Sequence, residues 1–369
     1  MGVFTALAIL AGLIVVHEAG HFLAATWQGI RVSGFSVGFG PALLQRRRRG
    51  VTYALRAIPL GGFVSFPDDE EGEGGEADGP AIAADDPDLL RNRPLPQRAL
   101  VIAAGVLANL LLAWMVLVAQ GAVVGIPAGF SATPGVLVSG VQSGQAAAAA
   151  GLQPGDRILS LAGEPLAGGQ QAVAQLVQRI QASPSQPLEL VAERGGSRVQ
   201  LELTPADLDG TGRVGAQLQP FGEEAYRPAR GPLEPIRQAN RDFSTLLGRT
   251  AGGFLTLITH FGETAGQVSG PVKIVEMGAS FAQQGGGSLF LFTALISINL
   301  AVLNALPLPL LDGGQFVLLL LEGLRGRPLP ERFQMAFMQS GFVFLVGLSL
   351  VLIVKDTSQL PAVQQLLAR

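Results

Sequence analysis

Two histidines and a glutamate near the start of the chain have the spacing needed to bind and use one metal ion. In the sequence His17-Glu18-Ala19-Gly20-His21 the histidines are four residues apart, so on a helix both imidazoles project from one face. Zinc is the metal we expect there. Glu18 lies beside the first ligand, where it can accept a proton from a water molecule that zinc makes more acidic. The predicted chemistry is hydrolysis of a peptide bond.

The alternative is that these side chains only fill a polar position on a helix face. That alternative is weak, because the motif lies within an apolar segment, residues 1–25. Two imidazoles and a carboxylate are costly inside a bilayer, and such residues usually have a function there. The remaining histidine, His260, lies outside any motif, and we interpret it as an interfacial side chain rather than a ligand.

A catalytic zinc site of this kind needs a third protein ligand and keeps one position open. The chain has no cysteine, so the ligand must be His, Asp or Glu. The segment NALPLPLLDGG, residues 304–314, closes a later apolar run, and its prolines and glycines must interrupt a helix. Asp312 is the only acid in it. We predict that Asp312 is the third ligand; capping of the restarted helix is the alternative.

Apolar segments must position these residues. Hydrophobic residues make up 48% of the 369 residues, charged residues only 14%, and the mean hydropathy is +0.40, which excludes a typical cytosolic enzyme. Runs of about 18 or more uncharged residues are long enough to cross a bilayer. The net charge of −3 comes with no long basic stretch beyond Arg46-Arg47-Arg48-Arg49, which argues against nucleic acid as a partner.

Arginine is concentrated between the first and second apolar runs and again after the third, at Arg325, Arg327 and Arg332. By the positive-inside rule these segments are cytoplasmic. With four crossings, both termini and the large region between the second and third spans then lie outside the cytoplasm. The run of acids at residues 68–88 contains little to bury, and we expect a solvated, disordered insert there.

HEAGH in an early span together with NALPLPLLDGG in a later one resembles the site-2 protease family of intramembrane zinc metalloproteases, of the bacterial type that acts in regulated intramembrane proteolysis. The resemblance implies that His17, His21 and Asp312 bind Zn²⁺ and that Glu18 is the general base. It also implies that Asn304 positions the substrate or stabilises the tetrahedral intermediate; capping of the broken helix is the alternative for Asn304.

Two further segments are similar to bacterial members of the family. GFGP at residues 38–41, followed by residues 51–66, resembles a membrane-associated β-hairpin, and the alternation of residues 51–66 supports strands. A plain cytoplasmic hairpin is the alternative. We expect residues 51–66, with Ala54 and Leu55 among them, to provide an edge strand that holds an unwound substrate. GVLAN, residues 105–109, matches a family pattern with Val106 in place of its usual proline, and we expect Asn109 to bond another helix.

A small soluble domain is predicted between the second and third spans. Short β-type runs surround a helix expected at residues 170–181. AGLQPGDRI, residues 150–158, is similar to the GLxxGDxI turn of PDZ domains in bacterial proteases. PDZ domains add an extended segment to the edge of their sheet. We predict one such module.

The expected fold is a multi-span α-helical membrane protein of about four transmembrane helices, with a membrane-associated β-hairpin and an inserted α+β PDZ-like domain. The expected regions are transmembrane helix 1 at 1–27, the β-hairpin region and acidic loop at 28–98, transmembrane helix 2 at 99–127, the PDZ-like domain at 132–206, an extracytoplasmic linker and amphipathic helical region at 207–287, transmembrane helix 3 at 288–321, broken at NALPLPLLDGG, and transmembrane helix 4 at 333–354.

The predicted function is intramembrane zinc metalloproteolysis of transmembrane segments. The expected partners are single-span membrane proteins, such as membrane-anchored regulators, and the lipid bilayer. The expected location is the cell (inner) membrane, with the PDZ-like domain outside the cytoplasm and the active site towards the cytoplasmic side. An inactive PDZ-bearing scaffold and a zinc transporter are the alternatives. Glu18 argues against both: a scaffold needs no base beside its metal. A transporter would also be expected to have more polar residues in its spans than Asn109, Asn299 and Asn304.

Overall fold

The computed structural model describes residues 2–67, 83, 85–142, 144–208, 210–260, 270–283 and 286–358. The chain divides into two compact units. The helical unit combines Met1–Val124 with Ala229–Arg369, and the β-rich unit is Gly125–Pro228.

Among the residues that the structure describes, four helices of the helical unit are long and apolar enough to cross a membrane. They fall at the four apolar segments of the sequence, and many of their large side chains face outward, including Phe342, Val343 and Val351. Exposed apolar faces of this extent are expected where lipid is the solvent. The four helices are α1 (Gly2–Trp27), α2 (Leu95–Val123), α7 (Gly286–Asn304) and α9 (Glu331–Ser358).

The bounds of α2 differ from the predicted span at 99–127. The helix begins at Leu95, with proline in its first turn, and ends at Val123. Gly125 follows with a φ of 114°, which glycine tolerates better than other residues. Ile126 then begins a strand. The apolar run of the sequence therefore includes residues that belong to the β-rich unit.

The predicted break in the third span is present. Helix α7 ends at Asn304, and helix α8 (Asp312–Arg325) begins eight residues later. Two prolines in between lack a backbone donor, and Leu310 has a φ of 70°, which continues neither helix. The interruption places Asn304 and Asp312 at two facing helix ends.

Helix α2 is the centre of the helical unit and packs against α1, α7, α8 and α5 (Leu233–Thr259). Small residues allow close approach: a Cβ added to Gly20 of α1 would lie 2.4 Å from the carbonyl oxygen of Ala104. The buried cluster that joins α2, α5 and α7 consists of Ala113, Leu117, Ala239, Ala294 and Ile298.

Helix α5 lies within the region predicted to be amphipathic and helical, at 207–287. Its apolar face packs Phe243, Leu246 and Leu247 against the cluster formed with α2 and α7. Trp114 of α2 donates its indole N–H to Asn240 of α5 at 2.7 Å. The helix is therefore a lateral neighbour of the spanning helices, and it is not among the four that have the apolarity of a span. A further helix, α6 (Pro271–Gln283), packs against α1.

The hairpin consists of β1 (Gly34–Arg48) and β2 (Val51–Ser65). Residues 34–37 pair with residues 52–55 and also with residues 62–65 of the same strand, and residues 44–48 pair with residues 51–55. Residues 52–55 therefore have a neighbour on both sides. The expectation that Ala54 and Leu55 form a free edge is wrong, because a curled β1 covers that edge.

The end of the acidic run is not a solvated insert. Arg31 donates its backbone N–H to the carbonyl of Asp88 at 2.8 Å, and its guanidinium lies 3.2 Å from Asp86. Arg93 pairs with Asp88 at 2.8 Å. Asp86 and Asp88 therefore pair with Arg31, which follows α1, and with Arg93, which precedes α2. Residues 68–82 and 84 of the run lie outside the described residues.

The β-rich unit contains a sheet in the strand order β10-β3-β4-β6-β7, with β5 paired to β4 and a separate pair, β8 and β9. Helix α4 packs on this sheet, near the residue range predicted for a helix, and α3 is a single short turn. The elements are β3 (Ile126–Val141), α3 (Ala146–Ala149), β4 (Arg157–Leu161), β5 (Glu164–Pro165), α4 (Gly169–Gln181), β6 (Leu188–Arg194), β7 (Ser197–Leu203), β8 (Ala206–Leu208), β9 (Thr211–Arg213) and β10 (Ala216–Arg227).

The β-rich unit is larger than the module predicted at 132–206. Strand β10 pairs with β3 from end to end, Ala216 with Val141 and Arg227 with Ile126. The predicted linker at 207–287 therefore contains part of the domain. The alternation of β10 is interrupted where its register shifts, between Pro220 and Gly222, and this interruption removes the sequence signal of a strand.

The GDRI turn is a structural element of the sheet. The buried carboxylate of Asp156 accepts the backbone N–H of Gln153 at 2.8 Å and two bonds from the guanidinium of Arg194, both at 2.7 Å. Burial on its own would raise the pKa of Asp156, but the bonds from Arg194 and Gln153 lower this pKa below its usual value. The turn thus fixes the start of β4 against the end of β6.

Candidate metal centre

Helix α1 supplies two imidazoles, one turn apart. The Nε2 atoms of His17 and His21 are 3.3 Å from each other, and the rings meet edge to face with centroids 4.9 Å apart. His17 is buried and His21 is nearly so. The spacing of the motif therefore does bring both rings to one point.

Asp312, in the first turn of α8, completes a triangle with the two histidines. Its Oδ2 atom lies 3.2 Å from Nε2 of His17 and 3.4 Å from Nε2 of His21. Oδ2 is buried and has no hydrogen bond of acceptable geometry to any described residue. The structure therefore brings together the three residues that the sequence predicts as ligands. Among the described residues this is the one cluster of at least three such groups with the spacing of a metal site.

The donor triangle has the dimensions of a zinc site. Four ligands at about 2.0–2.1 Å in a tetrahedron stand roughly 3.3–3.4 Å from one another. The three donor–donor distances are 3.2, 3.3 and 3.4 Å. Two imidazole nitrogens and one carboxylate oxygen also suit zinc chemically. The residues present fit a zinc ion with one open position.

Glu18 lies outside the triangle and faces the same cavity. A Cβ added to Gly62 of β2 would stand 3.2 Å from Cγ of Glu18, so only a small residue at that position leaves room for the carboxylate. The backbone N–H of Val64 donates to Glu18. The strand thereby holds the Glu18 carboxylate beside the metal donors. The carboxylate itself is not one of the three donors.

Asn304 is the last residue of α7, and its amide nitrogen lies 3.4 Å from Nε2 of His17. The amide therefore lies next to the donor triangle. An amide N–H in this position can donate to negative charge that develops on a carbonyl oxygen.

A cavity of about 780 Å³ contains these groups. Ligand sites commonly have volumes of roughly 300–1,000 Å³, so the cavity can accommodate several residues of an extended peptide. One wall is residues 61–64 of β2. A polar end is formed by Arg98 and Glu322, which pair at 3.0 Å, with Gln334 bonded to Glu322 at 3.2 Å.

Helix α2 contacts both imidazoles, and the sequence did not predict these contacts. Nδ1 of His21 donates to the carbonyl of Val101 at 2.8 Å, and the amide of Asn109 lies 3.2 Å from Nδ1 of His17. Gly105 lies between them. The residues are four apart on one face of α2, and the GVLAN pattern indicated two of them without indicating what they touch. Asn109 does bond another helix, as expected.

The family comparison agrees with this geometry. The model of peptidase family M50 matches residues 5–348. This chain belongs to peptidase family M50. It is a zinc metallopeptidase in a family of membrane proteins, which confirms the predicted resemblance to site-2 proteases, the predicted enzyme class and the predicted metal.

Relatives of this M50 peptidase match over nearly its whole length. A protein of Nostoc sp. named as a zinc metalloprotease is 48% identical over 98% of this chain and 97% of that protein. A protein of Synechocystis sp. with the same kind of name is 46% identical over 100% of this chain and 97% of that protein. The chloroplastic membrane metalloprotease ARASP of Arabidopsis thaliana is 41% identical over 99% of this chain and 80% of that protein.

One solved structure has a low similarity to part of the chain. A PDZ domain from Listeria monocytogenes is 22% identical and covers 23% of this chain and 86% of that domain, with a TM-score of 0.20. A score of that size does not support a fold assignment. The PDZ-like character of the unit stays a prediction.

Proposed function

We propose that this M50 peptidase cleaves peptide bonds within or beside the transmembrane segments of other membrane proteins, as in regulated intramembrane proteolysis. The observation that carries the proposal is the origin of the metal donors. Two of them come from α1 and the third follows the break after α7, and both helices are apolar enough to span a membrane. A bond that reaches this centre is therefore at or near membrane depth.

The proposed roles follow the geometry. His17, His21 and Asp312 would hold zinc, which when bound would act as a Lewis acid that polarises the scissile carbonyl and makes a water molecule more acidic. Glu18 accepts the proton of the attacking water and passes it to the leaving amine nitrogen. The bond from the Val64 N–H keeps the carboxylate in the cavity. Asn304 donates to the oxygen of the scissile carbonyl as negative charge develops on it.

The wall formed by residues 61–64 of β2 is the proposed substrate strand site. A helical substrate must unwind before its backbone can enter the cavity, and its freed backbone groups then need partners where water is scarce. Residues 62–65 pair with residues 34–37 on one side, and residues 61–64 line the cavity. Strand addition at this wall satisfies the substrate backbone, whereas residues 52–55 already have two neighbours.

The proposed partners are single-span membrane proteins, such as membrane-anchored regulators, and the surrounding lipid bilayer. The proposed setting is the cell (inner) membrane, with the PDZ-like unit outside the cytoplasm and the active site towards the cytoplasmic side. The arginines at residues 46–49 and 325–332 support this orientation through the positive-inside rule.

The test is to incubate the purified, zinc-loaded protein in detergent or liposomes with a panel of single-span membrane proteins and to map the products by mass spectrometry. We expect cuts within or beside the transmembrane segment. Replacing Gly or Pro near a cut site with Leu should slow cleavage, because the segment then unwinds at a higher cost. The same replacement placed one or two turns outside the span is the control. Cuts confined to soluble domains, or rates insensitive to helix breakers, would contradict the proposal.

A further inference from the structure

Asn109 is a buried amide directed at a metal-donor histidine. Its residue exposure is 0%, and its Nδ2 atom lies 3.2 Å from Nδ1 of His17. The other ring nitrogen of His17, Nε2, belongs to the donor triangle with His21 and Asp312. Asn109 therefore contacts one ring nitrogen of His17, Nδ1, while the other, Nε2, faces the metal position.

The protonation of the ring decides which end of the amide must face it. To bind a metal through Nε2, neutral His17 must carry its proton on Nδ1. An Nδ1–H group cannot bond to the amide NH₂, but it can donate to the amide oxygen. The two ends of an amide have nearly the same shape, so a half-turn places Oδ1 at the position of Nδ2. Oδ1 has no hydrogen-bond partner among the described residues, so no bond to Oδ1 opposes this turn.

The second histidine shows the same arrangement with a backbone acceptor. Nδ1 of His21 donates to the carbonyl of Val101 at 2.8 Å, which leaves its Nε2 free to face the metal position. Val101 and Asn109 are eight residues apart on α2, about two helical turns. One face of α2 thus places a backbone oxygen against His21 and the side-chain amide of Asn109 against His17.

We propose that Asn109 is a positioning residue that accepts the Nδ1–H of His17 through Oδ1, and so fixes the tautomer and the ring orientation in which His17 binds zinc. Partners of this kind behind a metal-binding histidine commonly contribute about 10–100-fold to metal affinity. The role concerns retention of zinc and holds whichever substrate the enzyme cuts.

Ser297 provides a matched control in the same buried layer. Its hydroxyl donates to the backbone carbonyl of Asn109 at 2.8 Å, and it is 0% exposed. Ser297→Ala therefore removes a buried hydrogen bond between α2 and α7 that involves Asn109, but it leaves the Asn109 amide in place. A general loosening of the helix packing would appear in this variant as well.

The experiment measures zinc affinity by competition with a chelator, and the visible spectrum of the cobalt-substituted protein, for the full chain and three variants. Asn109→Leu keeps the volume but has no acceptor, and we expect its affinity for zinc to fall about 10–100-fold, with an altered cobalt spectrum. Asn109→Asp keeps an acceptor oxygen, so its affinity and spectrum should stay close to those of the parent. Ser297→Ala should also stay close to the parent.

Three outcomes would overturn the proposal. Parental zinc affinity in Asn109→Leu would show that the amide is dispensable. An equal loss in Asn109→Asp would show that the NH₂ group is what His17 needs. An equal loss in Ser297→Ala would assign the effect to packing. If Asn109→Leu does not fold, the zinc affinity of Asn109→Asp alone tests the proposal. A loss of about 10–100-fold in that variant would contradict it. The predicted pattern of affinities without cleavage of any membrane substrate would contradict only the proposed function.

Discussion

Gly105 of α2 lies against the imidazole of His21: a Cβ at Gly105 would stand 2.3 Å from Nε2 of His21 and 2.7 Å from Cε1 of His17. A side chain there would occupy the space of the metal donors themselves. Glycine destabilises a helix by up to about 1 kcal/mol relative to alanine. Gly105 therefore makes α2 less stable as a helix, but it allows α2 to approach the two imidazole rings.

Gly105→Ala should therefore lose most of its bound zinc, although alanine favours the helix itself. The measurement is zinc content after purification, by metal analysis. Gly12→Ala is the matched control, because Gly12 lies in α1, five residues before His17, and has no atom within 4 Å of an added Cβ. Full zinc occupancy in Gly105→Ala would show that the two helices can separate at no cost.

Asp312→Asn separates metal binding from helix capping. The amide has the shape of the carboxylate and can cap a helix, but it is a poor zinc ligand. We expect Asp312→Asn and Asp312→Ala to lose zinc to a similar extent, since each leaves only two strong protein ligands. Zinc content close to that of the parent in Asp312→Asn would show that Asp312 is not a zinc ligand.

The metal donors and the spanning helices were predictable from sequence, because each rests on local information. HEAGH fixes two imidazoles on one helix face, and the prolines after Asn304 interrupt an apolar run that no charge divides. The contacts of Val101, Gly105 and Asn109 were not predictable, because they depend on how two apolar helices cross. No periodicity within α2 reveals which of its faces meets α1.

Other features depended on pairing between distant segments. Strand β10 belongs to the β-rich unit because it pairs with β3, about 80 residues earlier, and its local alternation is too irregular to indicate this. Asp86 and Asp88 are acids in an acidic run, and only their proximity to Arg31 and Arg93 distinguishes them from the residues before them.

Arg194→Ala should destabilise the β-rich unit by about 1–3 kcal/mol, because it leaves the buried carboxylate of Asp156 short of a charged donor. The measurement is hydrogen exchange of residues 125–228 in the full chain. Arg198→Ala, on the exposed strand opposite Glu193, is the control. Because the folded-state pKa of Asp156 is lowered, the stabilisation is present above the pKa of this group in the unfolded chain, near 4. This stabilisation is lost as the pH falls through the lower pKa of Asp156 in the folded state. At acid pH the parent and Arg194→Ala should therefore differ less in the free energy of unfolding of the β-rich unit.

The orientation in the membrane can be tested with single cysteines, since the chain has none of its own. We expect cysteine at Arg48, in the hairpin, to be cytoplasmic and cysteine at Gln175, in the β-rich unit, to be extracytoplasmic. An impermeant thiol reagent added outside intact cells should label only position 175. Labelling of both positions, or of position 48 alone, would contradict the predicted orientation.

In the proposed mechanism, Glu18 acts as the base beside a zinc ion that other residues hold. Glu18→Gln keeps the shape and the zinc ligands but removes the group that accepts the proton. The most direct measurement compares zinc content and rate of peptide hydrolysis in the parent and Glu18→Gln. We expect equal zinc content and a rate lower by about 10²–10⁴-fold, whereas hydrolysis at the parental rate by the zinc-loaded variant would contradict the account.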